Sequence, residues 1–193
     1  MQQGSDGARA PARGAAGEGG GGGAAAEEVF LTLSVGGQSC AVPVRGVRDV
    51  LGAQAITRIP LAPPEVAGGL NLRGRIVTAI DLRRRLGLGE CAPDAPAPMS
   101  VVVEQGADLY SLLCDSVGDV VPLGRAGFGP NPPTLDPAWR EFSKGVHRGD
   151  PGGPAAGASA AAAGPPPAPE RARDGGLTVV LDVERVLALG VAA

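Results

Sequence analysis

Arg73 stands at the tip of an Asn71-Leu72-Arg73-Gly74 turn between two apolar segments. A planar guanidinium there can fork onto a partner's carboxylate or carbonyls, or pin its own loop to a neighbouring part of the chain. Asn71 and Gly74 supply turn geometry, because both residue types accept left-handed backbone. Asp49, between Val47 and Val50, is the second candidate: a contact charge, or else a capping or solvated acid beside two core valines. Nucleophilic chemistry would need Cys114 or Cys91 with His147, the only histidine, as base. Cys114 lies on an alternating apolar segment and reads as a small core side chain, so a thiol enzyme using Cys114 and His147 is the minor alternative. Cys40, Cys91 and Cys114 are odd in number and have no CxxC spacing, which suggests neither a disulfide framework nor a zinc site. The five glycines at 19–23 have no strand before them and no Lys-Ser/Thr after, so they make no phosphate loop, and no cofactor is expected.

These side chains need elements to hold them. Residues 29–35 alternate in hydropathy, Gly36-Gly37 follows, and Cys40, Val42 and Val44 resume the alternation, which predicts a hairpin. Val47, Val50 and Leu51 fall at i, i+3 and i+4 and predict at most a helical turn, while Ile56 to Ile59 reads as a short strand stopped by Pro60. Ile76 to Ile80 reads as a buried strand, and Asp81 as the N-cap of a short helix closed by Gly87. The Arg83 to Arg85 run reads as a solvated face. Trp139 and Phe142, spaced i and i+3, read as a core plug in preference to an exposed anchor.

The second half repeats the plan of the first. Shifted by 70 residues, CAVPVRGVRDVL overlays YSLLCDSVGDVV, with Val47 on Val117, Asp49 on Asp119 and Val50 on Val120. Shifted by 101, IVTAIDLRRRL overlays LTVVLDVERVL, with Asp81 on Asp182. Two halves rich in short strands predict an all-β fold with short helices: two small barrels, about 28–90 and about 98–190, packed with a groove along their junction.

Gly and Pro number 32 and 19 in 193 residues, and they are concentrated. Residues 1–26 hold nine Gly and eight Ala, and 149–176 hold seven Gly, six Pro and nine Ala, with no large apolar side chain beyond Met1 in either. Neither can bury enough surface to offset about 1–2 kcal/mol of backbone entropy per residue, so a disordered tail and a disordered insert at a hairpin tip are expected. A net charge of −3 without a basic, aromatic-rich face argues against nucleic acid. No apolar run reaches the length of about 20 residues that spans a bilayer, and a cytoplasmic protein is expected.

The block IPLAPPEVAGGLNLRGRIVTAIDLRRRLGL, residues 59–88, is closely similar to the signature region of the CheW-like family, scaffold proteins that couple chemoreceptors to the histidine kinase CheA. The resemblance rests on Pro60, Pro63, Gly68, Asn71, Leu72, Arg73, Gly74, Ile76, Ile80, Asp81, Leu82, Arg83 and Leu86, and extends from about 28 to 190. It implies two five-stranded SH3-like barrels within a 27–190 domain, and a non-catalytic adaptor binding a CheA-type regulatory domain and a chemoreceptor's cytoplasmic hairpin tip. Val47, Asp49, Val50 and Arg73 would face the receptor, and Gly68, Asn71 and Gly74 would serve an interface or turn geometry. An adaptor of a pathway governing pili or gene expression is the alternative. Thr78, Gly69, Cys40 and Asp49 depart from the residues usual in the family.

Overall fold

The computed structural model describes residues 28–91, 94–149 and 176–189. The expected tail at 1–26, and the expected insert apart from Gly149 and Gly176, lie outside the described residues. The described chain runs β1 (Glu28–Val35), β2 (Gln38–Pro43), β3 (Val47–Leu51), β4 (Val66–Leu72), β5 (Arg75–Asp81), α1 (Leu82–Arg85), β6 (Met99–Gln105), β7 (Asp108–Cys114), β8 (Ser116–Leu123), β9 (Phe128–Gly129), α2 (Pro137–Glu141), β10 (Ser143–Arg148), β11 (Leu177–Leu181) and α3 (Val183–Leu187). The all-β class with short helices holds.

Two departures are local. Val47–Leu51 is a strand and not a helical turn, because β3 pairs antiparallel with β6 and its exposure alternates with period two. Ile56 to Ile59 makes only a single bridge, Thr57 to Gly69.

The strands form a six-stranded sheet, β8-β1-β2-β11-β10-β9, and a five-stranded sheet, β3-β6-β7-β5-β4. These are not the contiguous stretches 28–90 and 98–190. Each half gives its first hairpin to one sheet and its remaining strands to the other: β1-β2 joins β8, β10 and β11, while β6-β7 joins β3, β4 and β5. The halves meet at four seams, two parallel pairs, β2 with β11 and β5 with β7, and two antiparallel ones, β1 with β8 and β3 with β6. This exchange makes the halves mutually dependent, and it places β3 and β8, equivalent in the repeat, as edge strands of different sheets.

The main core lies between the sheets. Leu31, Leu33, Val35 and Val42 from the first meet Ile80, Val101, Val103 and Leu112 from the second, with Trp139, Phe142, Val186 and Leu187 closing one side. Trp139 and Phe142 are thus the plug their spacing predicted. Each fully buried Val, Leu or Ile contributes about 1.5–3 kcal/mol relative to exposure, so this layer dominates the apolar term. Asp81 caps α1 as expected, its Oδ1 accepting from the backbone N–H of Arg83 (2.9 Å) and Arg84 (3.2 Å). Asp182 caps α3 in the same way, accepting from Arg185 N–H. Gly87, at φ 74°, ends the α1 turn.

A further symmetry was hidden in the sequence. Gly68 in β4 and Gly145 in β10 have φ of 149° and 145°, each at a register irregularity. A Cβ on Gly68 would overlap the carbonyl oxygen of Thr57, and one on Gly145 would lie 2.7 Å from that of Gly129. Only glycine lets the neighbouring backbone approach so closely.

Candidate functional site

β3 and β8 hydrogen-bond to β6 and β1 respectively, and not to each other. Between them runs a cleft of about 240 Å³ lined by Leu31, Val44, Val47, Arg48, Asp49, Val50 and Val120. Val47 is half-buried against the inter-sheet core, whereas Val50 and Val120 are 38% and 57% exposed. The apolar side chains of Val50 and Val120 are thus left uncovered on two facing strand edges.

The Arg73 hairpin flanks this cleft on the β3 side. Its loop is two residues long, Arg73 at φ 52° and Gly74 at φ 87°, between the Leu72–Arg75 pair, and the Asn71 Oδ1 accepts from Gly74 N–H at 2.8 Å. Two successive left-handed residues match the right-handed strand twist of a type I′ hairpin. Arg73 Nη2 donates to Asp49 Oδ2 at 3.0 Å, and Asp49 Oδ1 accepts from the Val50 N–H at 3.0 Å. The Arg73 side chain remains 84% exposed, so this pair contributes only about 0–1 kcal/mol to folding. Arg73 therefore pins its loop weakly and still presents its guanidinium to solvent. Arg48 pairs with Glu104 beside it.

Val47, Asp49, Val50 and Arg73 are brought together; Asn71 and Gly74 shape the turn that carries Arg73. Gly68 stands apart, buried in β4, where it serves backbone approach to Thr57. Sequence reasoning missed Leu31, Val44 and Val120. The 70-residue repeat held the signal for Val120, since it maps Val50 onto it, but the exchange of hairpins that sets both on one cleft is not visible in a linear comparison.

The Arg83 to Arg85 run is not a solvated face. Arg83 Nη1 donates to both oxygens of Asp115, at 3.2 and 3.0 Å. Arg84 faces Asp81 and Glu90. Arg85, 13% exposed, reaches the carbonyl oxygens of α3 and lies over the Phe142 ring, 4.6 Å from its centre.

The residues of the thiol reading are apart. Cys114 is buried in β7 and its thiol is pushed up to about 12 by burial, with the Asp115 charge adding to the rise. Burial likewise raises Cys40, followed by the neighbouring Cys114 and Asp115. His147 lies in the other sheet, its Nε2 within 3.2 Å of the Gly124 carbonyl oxygen and its ring edge-on to Phe128. A thiol held neutral by burial is a poor nucleophile.

Fold and site together define a two-sheet SH3-like protein whose distinctive surface is an apolar cleft rimmed by an exposed ion pair. The family model described as CheW-like domain matches residues 29–190. The chemotaxis protein CheW of Rhizobium meliloti is 29% identical over 117 residues, covering 61% of this chain and 75% of that protein. CheW of Bacillus subtilis is 38% identical over 63 residues, 33% of this chain and 40% of that one. The solved scaffolding protein TtCheW from Thermoanaerobacter tengcongensis shares the fold, with a TM-score of 0.63 at 21% identity over 85% of this chain and 94% of that one. The chain belongs to the CheW-like family of chemotaxis scaffold proteins.

Proposed function

We propose that this protein is a non-catalytic adaptor that couples chemoreceptors to a CheA-type histidine kinase at cytoplasmic receptor arrays. The receptor's hairpin tip docks in the β3–β8 cleft, and surfaces of the two barrels engage the kinase's regulatory domain. The observation that carries this reading is the cleft itself: Val47, Val50 and Val120 offer an apolar lining that can receive the apolar face of an amphipathic helix. Arg73 and Asp49 at the rim supply charges that fix the register of the docked helix. Among the described residues no helix is long and apolar enough to cross a membrane, in keeping with a protein that reaches the array through its receptor. Such a scaffold changes kinase output only where it contacts receptor and kinase states differently.

The test is titration of the protein with a soluble receptor cytoplasmic fragment and, separately, with the regulatory domain of a CheA-type kinase. Saturable binding of both, able to occur together, is expected. Binding of neither would overturn the adaptor reading.

A further inference from the structure

The walls of the cleft stand on edge strands of two sheets that share no hydrogen bond between those strands, so their spacing depends on how the sheets are held. The apolar layer between the sheets is close-packed but non-directional, so directional ties between the sheets add to what fixes their angle. Two of them start from α1. Arg83 reaches Asp115, which is itself fixed to the β1–β2 hairpin: its backbone N–H donates to Ser34 O at 2.9 Å and its Oδ2 accepts from Gly36 N–H at 2.6 Å. Asp115 immediately precedes β8, the strand that carries Val120. On the other side of α1, Arg85 donates to the carbonyl oxygens of Arg185, Val186 and Ala188 in and after α3.

We infer that α1 is a clamp setting the spacing of the cleft walls, with Arg83, through Asp115, and Arg85 as positioning residues for partner docking at a site they do not touch. The consequence for docking rests on reading the cleft as the docking site; the clamp itself does not. Arg83 is 24% and Asp115 32% exposed at the side chain, so the tie is partly shielded from water and stronger than a surface pair. Arg84, between the two clamp residues, faces Asp81, Glu90 and the Pro64 carbonyl in its own half and makes no such crossing.

The test measures the spacing without any partner. Nitroxide labels on Ala53→Cys, an exposed position just after β3, and Asp119→Cys, on β8, are read by electron–electron double resonance in a Cys91→Ser background, with Cys40 and Cys114 buried. The parent is expected to give one narrow distance distribution. Arg83→Ala and Asp115→Asn should each broaden it and add a longer component while the β-sheet circular dichroism persists, and Arg83→Lys, which keeps a charge opposite Asp115, should stay close to the parent. Arg84→Ala should leave it unchanged. If an alanine variant does not fold, Arg83→Gln takes its place as the neutral test. Unchanged distributions in Arg83→Ala and Asp115→Asn, or equal broadening by Arg84→Ala, would overturn the clamp. A parent that binds no receptor fragment would overturn the docking reading and leave the distance result standing.

Discussion

Arg85 donates from Nε to the carbonyl oxygen of Val186 at 3.0 Å, and Val186 is the residue onto which position 85 itself falls in the 101-residue repeat. A side chain that meets its own counterpart lies on the axis relating the two halves. Around that contact Nη2 reaches the Ala188 carbonyl oxygen at 2.5 Å and that of Arg185 at 3.2 Å, and Nη1 pairs with Glu65. One guanidinium thus serves acceptors at the C-terminal end of α3, where helix carbonyls lack internal donors.

Arg85→Ala should therefore destabilise the fold by about 1–3 kcal/mol, since the carbonyl of buried Val186 loses its donor, while the exposed carbonyls of Arg185 and Ala188 turn to water. Arg85→Lys should recover only part of this, because an ammonium cannot reproduce the planar fork. Urea unfolding of the three proteins checks both statements. A loss below about 0.5 kcal/mol for Arg85→Ala would mean that water replaces the guanidinium without penalty.

Arg73→Ala should behave in the opposite sense. Its pair with Asp49 is exposed, so stability should change by no more than about 1 kcal/mol. Affinity for a receptor cytoplasmic fragment should fall further, about tenfold, if the guanidinium meets a partner acceptor. Isothermal titration beside thermal melting separates the two effects; a large loss of stability with unaltered affinity would make Arg73 a structural pin only.

The cleft can be tested on both walls. Val50→Glu and Val120→Glu should each leave folding nearly intact, because both side chains are partly open to solvent on edge strands. Each should weaken receptor-fragment binding by about tenfold or more, since docking would carry an unpaired carboxylate into an apolar contact. Asp119→Lys, whose side chain is exposed and does not line the cleft, should have little effect. Loss confined to Val50→Glu would restrict the site to the β3 wall.

Three glycines give a graded expectation. Gly68→Ala and Gly145→Ala should each cost about 1–3 kcal/mol or more, from left-handed strain and overlap with a neighbouring carbonyl. Gly69→Ala should be neutral or mildly stabilising: its added Cβ would meet only Ile76 Cγ2, at 3.5 Å, and alanine orders the strand better than glycine. Denaturant midpoints rank the three.

The buried thiols set an alkaline limit. Cys114 keeps its proton up to about 12 in the folded protein against an ordinary 9.0, so above pH 9 the unfolded chain releases a proton that the folded chain retains. The thiols' contribution to stability should accordingly be level below pH 9 and fall as pH rises from there toward 12, with Cys40 adding in the same direction. Cys114→Ala should flatten this slope in a pH series of urea midpoints. In the same proteins at neutral pH, iodoacetamide should modify exposed Cys91 and spare the other two.

Much of the fold was legible because it follows from local chemistry. The Gly36-Gly37 and Arg73-Gly74 hairpins, the Asp81 cap and the Trp139–Phe142 plug each depend on a few adjacent residues whose conformational preferences are strong. β3 was misread because three valine and leucine positions fit a helical spacing over five residues, too short a window for periodicity to decide, and pairing with β6 settled it. Ile76 was misplaced too: an apolar residue in a β-branched run reads as core, yet it is 79% exposed on the outer face of the β4–β5 hairpin.

The sequence by itself determined the all-β class, the internal repeat, and the acid, arginine and valines that carry the candidate site. Tertiary structure alone decided which half each hairpin joins, and with it the meeting of Val50 and Val120 across one cleft and the conversion of an arginine run into ties between sheets. The physical reason is range. Turns and caps are set by interactions within a few residues, whereas the exchange of β1-β2 and β6-β7 between halves is selected by burial of a common apolar layer, to which residues up to about 150 positions apart contribute together.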